Sequence, residues 1–114
     1  MPYIETKISI KLDENQKNCL QKKLSDAISI AFSKPKSYIM VNIEDSKSIF
    51  MAGNKLEKGA FISISSLGSI SKSCCINSTK DICNFLKSDL DIDGSNVYIT
   101  YHPVDFWGWN NSMF

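Results

Sequence analysis

The sequence carries almost no surplus of charge: 13 lysine and arginine residues stand against 12 aspartate and glutamate, a net charge of +1. Nucleic-acid binders concentrate a basic excess on one face, so that class of partner is not expected. Long apolar runs are missing too. None approaches the roughly 20 residues that span a bilayer. The opening MPYIETKISI alternates polar with apolar residues where a signal peptide would build an apolar stretch. No membrane association is expected, and the chain reads as cytoplasmic. Metal ligands are equally scarce. His102 is the one histidine, and Cys19, Cys74, Cys75 and Cys83 include no C-x-x-C pair. The side chains of adjacent Cys74 and Cys75 diverge, so no zinc-type spacing exists, and inert thiols in a reducing compartment are the reading. No metal or cofactor is implied.

What is present suits one domain spanning 1–114. Of the 114 residues, 43% are hydrophobic, enough for a core at this length. Tyr3 to Ile10 reads as a strand, with Ile4, Thr6, Ile8 and Ile10 on one face and Glu5, Lys7 and Ser9 on the other. A helix follows, opened by Asp13 and Gln16 in a capping-box pattern. Leu20, Leu24, Ala27, Ile28 and Ala31 form its apolar stripe. Pro35 stops it near Ser33 or Lys34. The near-continuous apolar run Tyr38 to Ile43 predicts a strand covered on both faces. A third strand spans Ala60 to Ser66, and a second helix runs from about Ser73 to Leu90 with Ile82, Phe85, Leu86 and Leu90 inward. Asp93-Gly94 turns the chain into a fourth strand, Val97 to His102, whose ladder Pro103 is expected to end. The aromatic tail Phe106 to Asn111 reads as irregular.

Strand–helix–strand is thus written twice, at 3–43 and 61–102. Each crossover helix makes its two strands parallel and its connection right-handed. The expected fold is α/β in the sense of an α+β two-layer sandwich: a four-stranded mixed sheet with both helices on one face. That arrangement leaves the other face bare, and the Tyr38–Ile43 run predicts it to be apolar, which calls for an oligomer.

The residue with the most chemistry in it is Pro2. A small residue after Met1 permits removal of the initiator methionine, which would leave a free secondary amine. A solvated α-amine has a pKa of about 7.7–8.0. An apolar pocket lowers it toward neutrality, where the amine can take a proton from carbon. Lys34, from its position alone, reads as a cation facing the helix dipole.

Further segments carry a resemblance. Pro2-Tyr3-Ile4-Glu5, Ser33 to Val41, Ser63-Ile64-Ser65-Ser66-Leu67-Gly68, Val97-Tyr98-Ile99 and Gly108-Trp109-Asn110-Asn111-Ser112 resemble, in order and along the whole chain, the macrophage migration inhibitory factor family. The resemblance implies a homotrimer whose sheets wrap a central barrel. It also implies cofactor-independent keto–enol tautomerase activity on phenylpyruvate-like and dopachrome-like compounds. In some members it implies a secreted, cytokine-like role through a cell-surface receptor, reached without a signal peptide. On this resemblance Pro2 is the general base and Lys34 binds the substrate's carboxylate or polarises its carbonyl. Leu67 offers a backbone N–H and an apolar wall, and Tyr98 comes from the adjacent subunit. Trp107, Trp109 and Phe114 form an aromatic rim, and Tyr38 lines the mouth. Thr100 stands where the family has asparagine, and Tyr3 and Trp107 are bulky for their places, so substrate preference is expected to shift. The family's C-x-x-C is replaced by Gly59-Ala60-Phe61-Ile62, so its thiol redox activity is not carried over.

Overall fold

The computed structural model describes the chain from Met1 to Phe114. Its elements run β1 (Pro2–Ile8), α1 (Glu14–Phe32), a 3-10 turn at Lys36–Tyr38 and β2 (Met40–Glu44). A short pair β3 (Phe50–Met51) and β4 (Asn54–Lys55) precedes β5 (Ala60–Leu67) and α2 (Lys72–Leu90). A 3-10 turn at Gly94–Asn96 leads to β6 (Val97–Val104), and β7 (Gly108–Trp109) and β8 (Ser112–Met113) close the chain.

Both helices begin and end for reasons written locally. Asp13 accepts the Gln16 N–H at 2.7 Å while the Gln16 side chain accepts the Asp13 N–H at 3.0 Å. This reciprocal cap fixes the start of α1. Ser33 takes a left-handed conformation at φ 54° to end it, and Pro35 prevents its resumption. Ser71 caps α2 by accepting the Cys74 N–H at 3.2 Å. At its far end Asp91 is left-handed, with Asp91 N–H bonded to Lys87 O at 3.0 Å and Ile92 N–H to Leu86 O at 3.2 Å. These bonds close the last turn of α2, and buried Ile92 follows it into the core.

The sheet order is β2-β1-β5-β6. β1 is parallel to β2 and β5 to β6, while β1 and β5 join antiparallel. The two expected strand–helix–strand units therefore lie side by side, with their helices on one face. Leu20, Leu24, Ala27 and Ile28 of α1 and Ile82 and Leu86 of α2 share one core with Ile4, Ile8, Ile62 and Ile64. The mixed two-layer architecture is as the sequence predicts.

Four details differ. Tyr38 lies in the 3-10 turn and not in a strand, because its N–H bonds back to Pro35 O at 3.1 Å. β1 ends at Ile8, before Ile10. Pro103 pairs with Ser66 inside β6 rather than ending it; β6 is an edge strand, so the missing N–H leaves no central ladder broken. The tail forms the β7–β8 pair, with Trp109 opposite Ser112.

The larger correction concerns the bare face. Ile39, Val41 and Ile43 pack against the helix layer. Strict alternation then puts Asn42 and Glu44 of β2 on the opposite face, beside Glu5 and Lys7 of β1, Ser63 and Ser65 of β5, and Thr100 and His102 of β6. Tyr3, Met40, Phe61, Leu67, Tyr98 and Val104 share that face, so it is mixed, polar across its middle and partly apolar at both ends, rather than apolar throughout.

Two substitutions test this packing, both read by urea unfolding at fixed protein concentration. Leu24 is fully buried, and Leu24→Ala is expected to lower stability by about 3 kcal/mol. Thr6 is also fully buried, and its hydroxyl has no hydrogen-bond partner. Thr6→Val keeps the shape and removes the orphan, so stability should rise by about 1 kcal/mol.

Candidate active site

The largest cavity, about 580 Å³, opens at the start of β1. Pro2, fully buried, forms part of its floor together with Met1 and Tyr3. Tyr38, Ile39 and Met40 supply one wall, Ser65 and Val104 another, and Trp107, Gly108 and Trp109 a third. Sheet register explains the meeting: Tyr3 is the lateral neighbour of Met40 on one side and of Ser65 on the other. The tail is held over this end by its own contacts. The Phe114 N–H donates to Trp107 O at 3.0 Å. Trp109 meets Tyr38 edge-on at 5.6 Å between ring centroids and stacks with Phe114 at 5.7 Å. Such pairs add to the stability that area burial gives.

The α-amine of Met1 is held below its ordinary value, first by partial burial and then by the like charge of Lys34. The Leu67 N–H donates to Met1 O at 3.2 Å, pinning the Met1–Pro2 junction against the end of β5. Lys34 is fixed through its backbone: its N–H donates to Ser29 O at 3.2 Å, and its own O accepts from Ser29 Oγ at 2.6 Å. It lines a smaller neighbouring cavity rather than the large one, and it forms no ion pair, whereas Lys36 pairs with Asp26 at 2.5 Å.

Of the residues singled out in the sequence, Pro2, Tyr38, Trp107 and Trp109 line one cavity. Phe114 joins through Trp109, and Lys34 and Leu67 flank the N-terminus. Tyr98 and Thr100 are not brought there. Tyr98 pairs with Phe61 at the far end of β6, 65% exposed, and Thr100 bonds His102 at 2.8 Å. Met40, Ser65 and Val104 line the cavity without having been singled out. They are neighbours through sheet order alone, which no local pattern announces. A proline-led strand opening into an aromatic-walled cavity, on paired strand–helix–strand units, is the fold of macrophage migration inhibitory factors.

Comparison with known proteins agrees. The family model for macrophage migration inhibitory factor (MIF) matches residues 1–114, and the chain belongs to that family. It is 31% identical over 93 residues to macrophage migration inhibitory factor of Xenopus laevis, covering 80% of each chain. The crystal structure of Leishmania major MIF2 superposes with a TM-score of 0.92 at 23% identity, covering 100% of this chain and 97% of that one. A structure of Pt0534 inactivated by 2-oxo-3-pentynoate superposes with a TM-score of 0.81 at 14% identity, covering 90% of this chain and 85% of that one.

The charge of Lys34 has a measurable consequence at the N-terminus. Lys34→Gln removes a like charge and so favours the ammonium form, and the Met1 amine should titrate at higher pH than in the parent chain. NMR titration of protein labelled at methionine reads the midpoint directly; a midpoint unchanged or lowered would contradict the placement of that charge.

Proposed function

We propose that the chain is a cofactor-independent keto–enol tautomerase acting on small aromatic 2-oxo acids of the phenylpyruvate kind and on dopachrome-like compounds, with Pro2 as its base once Met1 is removed. The observation that carries this reading is Pro2, buried at the start of β1 and lining an aromatic-walled cavity. Pro2 itself is fully buried there, and burial would lower the pKa of the secondary amine that trimming leaves. An unprotonated amine near pH 7 accepts the proton from the carbon next to the keto group. The electron pair of that C–H bond moves into the new C=C bond, and the carbonyl oxygen becomes an enolate that is then protonated. In the reverse direction the proline ammonium returns its proton to carbon. The Lys34 ammonium stabilises the carboxylate and the developing oxyanion. At about 580 Å³ the cavity has the volume of an ordinary small-ligand site.

Pt0534, which shares the fold, is inactivated by a 2-oxo acid, and this supports the substrate class. In the proposed working form, neighbouring copies in a homotrimer supply Tyr98 and Thr100 to each cavity; oligomers are general in this family. Receptor binding and release from cells rest on the family alone, and no observation on this chain favours them over catalysis.

Adding one alanine before Pro2 locks its nitrogen into a peptide bond. General-base catalysis contributes on the order of 100- to 10,000-fold, so kcat/KM for phenylpyruvate should fall by at least about 100-fold with the oligomeric state unchanged. An extended protein of native assembly that turns over phenylpyruvate at the parental rate would refute the mechanism.

A further inference from the structure

His102 is the one histidine of the chain, and neither the core nor the large cavity uses it. Alternation along β6 places it on the helix-free face together with Tyr98 and Thr100. Pro103 follows it, and a residue before proline is held in the extended region. His102 Nε2 and Thr100 Oγ1 are 2.8 Å apart, a hydrogen bond between two side chains on one face of the strand. β6 is bonded only to β5, and the β5 residues beside this pair, Ser63 and Ser65, carry no charge. The ionisable side chains beyond them are Tyr3 and Glu5 of β1, two strands away, roughly 10 Å at about 4.8 Å per strand. On β6 itself the ionisable neighbour is Tyr98.

The direction of the His102–Thr100 bond decides what Thr100 can offer a ligand. Where Nε2 lacks a proton, the Thr100 O–H donates to it, and the threonine oxygen is left as an acceptor only. Where Nε2 carries a proton, it donates to Thr100 Oγ1, and the threonine proton is free to point away. A carboxylate or enolate oxygen needs a donor, so the second arrangement alone serves it. A protonated imidazole fixes that arrangement, because both of its nitrogens then donate. Histidine is the side chain that ordinarily makes this change between about pH 5 and pH 8. A threonine has one proton to give, and here its direction is set by the ring bonded to it.

We propose that His102 is a positioning residue that turns the Thr100 hydroxyl toward the anionic oxygens of the substrate, so that 2-oxo acids bind more tightly as His102 gains its proton. The inference rests on the tautomerase reading and its homotrimer, in which Thr100 reaches the cavity of a neighbouring copy. Catalysis by the Pro2 amine has the opposite dependence, since the amine must be unprotonated. Toward acid, KM for phenylpyruvate and kcat should therefore fall together.

A probe that cannot react separates binding from turnover. 3-Phenylpropanoate, an aromatic carboxylate with no keto group, is titrated into the full-length protein at about pH 6 and about pH 8. Ionic strength is fixed, and the fluorescence of Trp107 and Trp109, which line the cavity, is the readout. His102→Gln keeps a side chain that can bond Thr100 and removes the titrating proton, whereas Thr100→Val keeps His102 and removes the hydroxyl. The N-terminal amine contributes equally in all three proteins. On going to the lower pH, the parent should gain roughly three- to tenfold more affinity than either variant. Equal gains in the parent and His102→Gln overturn the role of His102. Equal gains in the parent and Thr100→Val mean that His102 acts by its charge alone, which overturns the positioning. A parent with the expected gain that never turns over phenylpyruvate upholds the pair and refutes the tautomerase reading alone. A parent that turns it over without that gain refutes this inference alone.

Discussion

β1 is hydrogen-bonded on both sides, to β2 in parallel and to β5 antiparallel, and the geometry of the N-terminus depends on it. A central strand normally rejects proline, which lacks the N–H that a ladder needs. Pro2 is accepted because it stands first, opposite Ser66, where the ladder begins. The same placement puts the Pro2 nitrogen at the sheet margin while the rest of the strand is locked. Ile4 and Ile8 anchor β1 in the core, so this nitrogen is positioned by the most constrained element of the fold, although it lies two residues from the chain end.

Charge acts on the Met1 amine, one residue before it, in a consistent direction. Burial disfavours an ammonium, and Lys34, held by two backbone contacts to Ser29, adds repulsion. Neither effect requires a strained backbone at Pro2. The left-handed residue nearby is Ser33, which ends α1 and directs the following lysine away from the helix axis. Helix termination and the electrostatics of the N-terminus are therefore one local event: the residue that closes α1 is followed at once by the residue that sets the charge near the amine.

Much of the architecture was legible because it is encoded locally. The Asp13–Gln16 cap, the apolar stripe of α1 and the alternation of β1 and β5 each involve residues a few positions apart, and both helix boundaries fall within a residue of expectation. The errors share a cause. The apolar run Tyr38–Ile43 reads as one element, but Tyr38 closes a turn, and Ile39, Val41 and Ile43 alternate toward the helices. Composition does not say which side of a strand a residue takes. In the cavity, Pro2, Tyr38, Trp107 and Trp109 were recognisable through the family resemblance, whereas Met40 and Ser65 enter only as lateral neighbours of Tyr3. Nothing within a single strand encodes that neighbourhood.

The distance between the two ends of β6 constrains any assembly built on this chain. Val104 lines the large cavity and Tyr98 lies six positions back along the same paired strand, about 20 Å at 3.3 Å per residue. A strand bonded to β5 along its whole length does not fold back, so one chain cannot place both at one site. A role for Tyr98 in catalysis therefore requires a second copy, with the Tyr98 end of one chain set against the Pro2 end of the next. Those are two different surfaces. Contacts of that kind do not close as a two-fold pair; they close as a ring or extend as a filament. The polar side chains of Glu5, Lys7, Asn42, Glu44, Thr100 and His102 oppose burying sheet against sheet. The unpaired edges of β2 and β6 and the exposed Met40, Phe50 and Tyr98 favour joining at the margins. A ring joined at its margins covers the apolar ends of each helix-free face and keeps its polar middle hydrated.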